Sequence, residues 1–150
     1  MDIWDAIAEE ASAESELWAA ALLPKEEQRL EPVFSPLSPA RFALGIETIY
    51  EGYLLHYGRP RLFRADDRDT RILLGDYLYA HGLVRVAALG DVDAVGALAE
   101  LLSLCAHLRA EGLPGDGEAW ASTVSALDGG GEASDRARGQ ALALHAERVE

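Results

Sequence analysis

The sequence predicts an all-α protein, a helical bundle in which two central antiparallel helices are apolar on nearly all sides. Three observations support this fold class. Apolar residues recur at helical spacing through most of the chain. Capping residues precede the long periodic segments, and glycine or proline follows them. A chain of 150 residues normally forms one domain with a substantial core.

The N-terminal region is predicted to be residues 1–38, an acidic amphipathic helix followed by a proline-rich connector. The helix runs from Asp2, its N-cap, to about Leu23, with apolar residues on one face and glutamates on the other. Residues 24–38 contain three prolines and show no sustained periodicity, which indicates an extended segment.

Residues 39–112 are predicted to form the helical core. The first core helix begins at Ser38-Pro39, a serine N-cap followed by proline at the first helical position. It ends near Tyr57, before Gly58, which suits a left-handed residue after a helix. An arginine-rich loop then leads to the two central helices.

The two central helices are predicted at residues 68–89 and 92–111. Their short connection across Gly90-Asp91 predicts an antiparallel hairpin. Because both are apolar nearly all round in a short chain, we expect a partner surface to cover part of them. The alternative is that they form the centre of one self-contained bundle. The candidate interface residues are Leu74, Tyr77, Leu78, Leu98, Leu101, Leu102 and Cys105.

Glycine spacing predicts a close contact between helices. Gly45 and Gly52 lie seven residues apart on one predicted helix, and Gly75 and Gly82 do so on the next. Seven residues make nearly two turns, so each pair marks one stripe. Each glycine costs about 1 kcal/mol against alanine in a helix interior, which favours close backbone approach. The alternative is scattered tolerance of glycine.

Residues 113–150 are predicted to be peripheral. A short helix is expected over residues 118–127, and Gly129-Gly130-Gly131 indicates a flexible break. The segment from Ser134 has few apolar residues for a face. We expect it to be either a peripheral helix or an arm that docks on another surface.

Composition excludes several functional classes. The net charge of −13 gives no general attraction for nucleic acid or anionic lipid. No apolar run reaches the roughly 18 residues of a membrane span. The single cysteine, Cys105, forms no internal disulfide and suits a cytoplasmic location. No catalytic, metal or cofactor motif is apparent, so we expect a non-enzyme that acts by binding other protein chains.

Charged residues mark candidate sites in the core. Asp76 lies in an otherwise apolar helix, so we expect a buried carboxylate paired with an arginine, a tyrosine hydroxyl or a capping group on a neighbouring helix. Glu47 and Glu51 lie one helical turn apart, where they share a cation or face an arginine or solvent. Arginine forks suit phosphate or carboxylate recognition. The candidate residues for binding an anion or an acidic partner are Arg59, Arg61, Arg64, Arg68 and Arg71. The alternative is a solvated loop neutralised by interleaved aspartates.

The stretch from Ile46 to Gly112 resembles the trans-isoprenyl diphosphate synthases, or polyprenyl synthetases. The resemblance covers about 65 residues and depends on three elements in the family order. These elements are Leu54-Leu55-His56, Gly58-Arg59-Pro60 and Leu74-Gly75-Asp76-Tyr77-Leu78. The resemblance implies an isoprenyl-synthase-like helical arrangement.

Departures from the family pattern argue against catalysis. The family holds magnesium and diphosphate with two aspartate-rich motifs. Here His56 runs directly into Tyr57, where the first motif belongs, and the second motif is missing. Asp66-Asp67-Arg68-Asp69 comes after the Gly-Arg-Pro element and lacks the final aspartate. The resemblance therefore implies a non-catalytic subunit, like the silent subunit of the two-component synthases.

Three functions follow as hypotheses. The first is an accessory or structural subunit that forms a homodimer or a hetero-oligomer through the central helices. The second is a binding module for an isoprenoid or another apolar ligand near Tyr50, Leu54, Tyr77 and Leu78. The third is a contributor of Arg59 or Asp76 to a prenyl-transfer site shared with another chain.

Overall fold

The computed structural model describes residues 2–131 and 133–149. Met1, Glu132 and Glu150 lie outside the described residues. Within them the protein is all-helical, without a β-strand, which confirms the predicted class. The seven α-helices are α1 (Ile3–Glu14), α2 (Glu16–Ala20), α3 (Ala43–Tyr57), α4 (Arg68–Ala87), α5 (Val92–Ala110), α6 (Asp116–Ser125) and α7 (Asp135–Val149). None of these helices is long and apolar enough to cross a membrane.

The N-terminal helix is broken, contrary to the single helix predicted up to Leu23. Asp2 caps α1 as expected, because its side chain accepts a hydrogen bond from the backbone N–H of Asp5. Ser15 has an extended backbone and caps α2, since its Oγ accepts from the backbone N–H of Leu17. Local capping by serine therefore competes with the continuous apolar stripe.

The boundaries of α3 differ from the prediction in two respects. A 3₁₀ turn at Ala40–Phe42 replaces the α-helical start expected at Pro39. The helix ends at Tyr57, but Gly58 has φ −154° and is not left-handed. Glycine is needed there for space, because an added Cβ would clash with the backbone oxygen of Arg148.

Helix α3 lies at the centre of the protein. Eleven of its 15 residues are buried, whereas α4 buries five residues and α5 buries four. The structure thus corrects the expectation that residues 68–89 and 92–111 form the centre. The reason is that α4 and α5 each bury one face and leave the other in solvent, despite their apolar composition.

The predicted glycine contact joins α3 to α4. A Cβ on Gly52 would lie 2.7 Å from the backbone oxygen of Gly75, and one on Gly82 would lie 3.0 Å from that of Gly45. Both pairs thus meet backbone to backbone, Gly45 with Gly82 and Gly52 with Gly75. This spacing allows the two helices to pack more closely than side chains would permit.

A buried ion cluster joins the loop after α3 to the helix itself. Arg61 is 1% exposed, and its guanidinium lies 2.6 Å from Glu47 Oε1 and 3.1 Å from Glu51 Oε1. Although burial lowers the pKa of Arg61, the two carboxylates outweigh it and hold that pKa above its usual range. The guanidinium also lies between the rings of Trp4 and Tyr50.

The same carboxylates hold two irregular segments against α3. Glu47 accepts hydrogen bonds from the backbone N–H groups of Val33 and Ser35, in the proline-rich connector. Glu51 accepts from the backbone N–H groups of residues 61–63. The cluster therefore satisfies buried backbone groups that have no helix or strand to pair with.

The C-terminal segment is a docked helix, which settles the choice between a helix and a free arm. Ala141 and His145 of α7 are buried, and the helix packs against α3 and α6. The backbone N–H of Arg59 donates to the carbonyl of Arg148, and the Arg148 guanidinium donates to the carbonyls of Arg59 and Pro60. Helix α7 is thus attached to the core by both packing and hydrogen bonds.

We expect Gly52→Ala to lower the free energy of unfolding by about 1–3 kcal/mol, because its Cβ would overlap the backbone of α4. The matched control is Gly139→Ala on α7, where an added Cβ meets nothing within 4 Å. That control should raise stability by about 0.5–1 kcal/mol through helix propensity. Urea unfolding measures both, and similar effects would contradict the close α3–α4 contact.

We expect Arg61→Met to lower the free energy of unfolding by about 3–5 kcal/mol, because two buried carboxylates then lose their cation. Arg64→Met is the control, since Arg64 pairs with Glu27 at the surface. Its effect should stay below about 1 kcal/mol. Denaturant unfolding at neutral pH compares the two, and an Arg61 effect no larger than the control would contradict this role.

Candidate functional site

The five predicted arginines do not form one site. Arg61 is buried between Glu47 and Glu51, so it is unavailable to an anion or a partner, and that prediction is wrong. Of the alternatives predicted for Glu47 and Glu51, the structure shows the arginine partner, because Arg61 lies between the two carboxylates. Arg68 is exposed at the first residue of α4.

The other three arginines border one surface depression of about 700 Å³. Arg59 comes from the loop after α3, Arg64 from the segment beside α2, and Arg71 from the first turn of α4. The remaining lining residues are Leu23, Glu27, Leu55, His56, Tyr57, Gly58, Pro60, Phe63, Ala65, Asp66 and Val149. We call this surface the arginine depression.

Two arginines of this depression are held by backbone carbonyls. Arg59 donates to the carbonyl of Glu147, and Arg71 donates to those of Ala65 and Asp66. Arg64 instead pairs with the Glu27 carboxylate at 3.1 Å. Hydrogen bonds from Thr70, and after them the charge of Arg71, lower the pKa of Asp67, so this interleaved aspartate offsets part of the positive charge of the loop, as the solvated-loop alternative assumes.

Asp76 is exposed, which corrects the prediction of a buried carboxylate. Its side chain is 61% exposed, and its Oδ1 lies 3.0 Å from His56 Nε2. The physical reason is the orientation of α4, which turns Gly75 toward α3 and the next residue outward. The partner of Asp76 is a histidine of the neighbouring helix α3, in place of the arginine, tyrosine hydroxyl or capping group that was predicted.

Most of the predicted interface residues belong to the protein's own core. Leu74, Leu78, Leu98, Leu101 and Cys105 are all at most 2% exposed. Tyr77 and Leu102 are half-buried, and Tyr77 packs on Trp18. The expectation of an interface through the five buried residues is wrong, because α1, α3 and α6 already cover them.

The outward side of the α4–α5 pair carries an uncharged stripe that was not predicted from the sequence, bordered by the exposed Asp76, Asp93 and Glu100. We define the α4–α5 outer face by Ala80, Leu83, Val84, Ala87, Val92, Val95, Gly96, Ala99, Leu102, Ser103 and Ala106. Val92 is 81% exposed and Val84 is 60% exposed. Residues 92, 96, 99, 103 and 106 advance by alternate steps of four and three, a signal that marks one helix stripe.

A buried polar network links α3, α6 and α7. His145 Nδ1 lies 2.7 Å from Tyr50 Oη, and His145 Nε2 lies 3.1 Å from Asp116 Oδ2. The same Asp116 oxygen accepts from Tyr53 Oη and from Arg109 Nη2, both at 2.7 Å. Tyr50 and His145 are buried, whereas the side chains of Asp116 and Arg109 are 17% and 29% exposed and bring the network to the surface. Sequence spacing gave no signal for it, since its members lie far apart in the chain.

The network fixes the charge of Asp116. Burial alone raises the pKa of this carboxyl, but hydrogen bonds from His145, Tyr53 and Arg109 outweigh it and hold the pKa well below its usual range. Burial raises the pKa of the Tyr53 hydroxyl. The chemistry available is therefore a stable carboxylate that accepts several hydrogen bonds, which suits helix attachment.

The predicted apolar channel and Cys105 both belong to the packed core of the protein. Tyr50 and Leu54 are fully buried among side chains, so the apolar channel proposed beside them is filled. Cys105 is buried, and burial raises the pKa of its thiol to about 11. No group of three or more metal-ligating side chains occurs in the described part of the chain.

Comparisons with known proteins give no match to a protein-family model, to a curated protein or to a solved structure. The resemblance to isoprenyl diphosphate synthases stays a prediction.

We expect the Asp116 network to make stability depend on acid pH. Because the native pKa is lowered, the carboxylate contributes stability above its ordinary value near 4, and this is lost as the pH falls toward the native pKa. Asp116→Asn should be less stable at neutral pH and should lack this part of the acid dependence. Urea unfolding from neutral pH down to about pH 2 measures it. The exposed Glu100→Gln serves as control, and a wild-type acid profile in Asp116→Asn would contradict the assignment.

Proposed function

We propose that this chain is a non-catalytic structural subunit that assembles with a second copy of itself through the α4–α5 outer face. The observation that carries the proposal is an uncharged stripe on the solvent-facing side of these two helices, which the exposed Asp76, Asp93 and Glu100 border. A surface helix of a globular protein normally presents charged residues to water. Here the outward stripe of α5 carries Gly96, Ala99, Ser103 and Ala106 where charges are usual.

Exposed apolar surface supports association. Val84 and Val92 lie largely in solvent. An added Cβ on Gly96 would meet nothing within 4 Å. Contiguous exposed apolar surface of this kind is typical of protein interaction sites, and small residues allow a second helix backbone to come near.

A second copy is the partner that fits this face best. A two-fold interface brings the same surface together from both subunits, so it needs a patch complementary to itself. A flat stripe of small uncharged residues on α5 meets that requirement. The exposed acidic residues Asp93 and Glu100 border the face without being among the residues that define it, so recognition in its centre would be apolar.

The predicted family resemblance is compatible with this role. The sequence lacks the aspartate-rich motifs that hold magnesium and diphosphate in the synthases. An accessory subunit in an isoprenyl-synthase-like arrangement needs no such motifs. The filled space around Tyr50 and Leu54 gives no support to an internal isoprenoid site.

We expect the purified protein to be a dimer and Ala99→Glu to be a monomer, because the new charge would be buried without a partner at the interface. Ala143→Glu, at an exposed alanine of α7, is the matched control and should remain dimeric. Light scattering after size exclusion, at matched concentrations, measures the mass of each.

Two results would overturn the proposal. A wild-type chain that is monomeric at all accessible concentrations would remove self-association. A dimer that persists in Ala99→Glu would place the interface elsewhere. Circular dichroism on each variant distinguishes a lost interface from a lost fold.

A further inference from the structure

We propose that the arginine depression binds a small molecule that joins an oxyanion, either phosphate or carboxylate, to an apolar or aromatic body. This inference is independent of self-assembly, because the depression lies at the junction of α3, α4 and the end of α7, and none of its lining residues belongs to the α4–α5 outer face.

Arginines are concentrated around the depression in a chain that is acidic as a whole. The chain has 26 acidic residues against 13 basic ones, yet arginines gather beside this depression. Arg59, Arg71 and Arg148 donate to backbone carbonyls, which accept hydrogen bonds without cancelling a full positive charge. A bound oxyanion would supply the negative charge that neutralises these guanidinium groups.

The carboxylates in the lining do not cancel this surplus. Glu27 is paired with Arg64, so these two charges offset each other. Asp66 offsets only one of Arg59 and Arg71, so the lining itself keeps a formal surplus of one positive charge. Asp67, which interacts with Arg71, is not among the lining residues. Arg148 adds to the positive field, and its pKa is lowered by burial and then by the neighbouring Arg59 and Arg61.

Size and lining indicate what accompanies the anion. A volume of about 700 Å³ exceeds the need of a bare phosphate and lies within the range of small-molecule sites, roughly 300–1,000 Å³. Leu23 and Val149 contribute partly exposed apolar surface and Tyr57 contributes an aromatic ring, while the buried Leu55 and Phe63 lie beneath them. The depression therefore combines positive charge with surface suited to an apolar body.

The site is preorganised by its surroundings. Glu51 holds the backbone of residues 61–63, and the Arg148 side chain holds the carbonyls of Arg59 and Pro60. Gly58 allows α7 to approach closely enough for these contacts. A site held in this way loses little conformational freedom when a ligand binds.

Phenyl phosphate is a suitable probe, with benzoate as its carboxylate counterpart. Isothermal titration calorimetry at constant ionic strength should detect binding of both. Inorganic phosphate, which lacks the aromatic body, and phenol, which lacks the oxyanion, should each bind at least about tenfold more weakly. Backbone amide shifts of labelled protein should change at residues 56–66 and 71. Binding to vesicles that carry a phosphate monoester lipid is measured separately, to distinguish a lipid headgroup from a free small molecule.

Variants that each remove one positive charge test whether Arg59 and Arg71 contribute to binding. Arg59→Gln and Arg71→Gln should each weaken phenyl phosphate binding at least about tenfold, as expected for a lost charge-assisted contact. Arg136→Gln, at an exposed position of α7 outside the lining, removes the same charge and should leave binding unchanged. Arg71→Lys, which retains the charge, should recover part of the affinity.

Three outcomes would overturn the inference. The first is no binding of phenyl phosphate or benzoate by the folded wild-type protein. The second is equal weakening by Arg136→Gln, which would show a general charge effect. The third is binding to vesicles alone, which would identify a lipid surface and exclude the small-molecule site.

Discussion

The buried contact of Arg61 with Glu47 and Glu51 is the interaction on which the remaining architecture depends. It places one cation between two carboxylates of the central helix, and each carboxylate also accepts backbone hydrogen bonds from an irregular segment. Without it, the proline-rich connector and the loop after α3 would bury backbone groups with no partner. Since buried ions are costly to leave unpaired, the three residues act together, and they position the loop that carries Arg59.

The sequence predicted the fold class and many helix ends, because these depend on local rules. Asp67 and Asp91 cap α4 and α5 through their side chains, and Gly90 is left-handed after α4. Glycine spacing likewise predicted the close helix contact, although its partner helices could be assigned only from the structure. Composition alone was misleading about the centre: α3 contains charged residues that are buried, whereas the more uniformly apolar α4 and α5 lie partly in solvent.

The candidate sites were harder to predict, because burial and distant contacts decide their chemistry. Arg59 and Arg61 are two residues apart, yet one borders a depression and the other lies in the core. Asp76 was assigned to the interior from its apolar neighbours, but helix orientation puts it in solvent. The Tyr50–His145 contact spans 95 positions in the chain, a separation for which a single sequence provides no pattern.

The glycine contact between α3 and α4 has a consequence for how this protein can change over generations. At Gly52 and Gly82, a side chain on one helix would meet the backbone of the other, so a single substitution there meets an obstacle that no neighbouring rotamer relieves. Selection would therefore act on the four paired glycine codons together, since a change at one meets the backbone opposite it. Any lineage that abandons glycine there must first acquire a wider separation between the two helices.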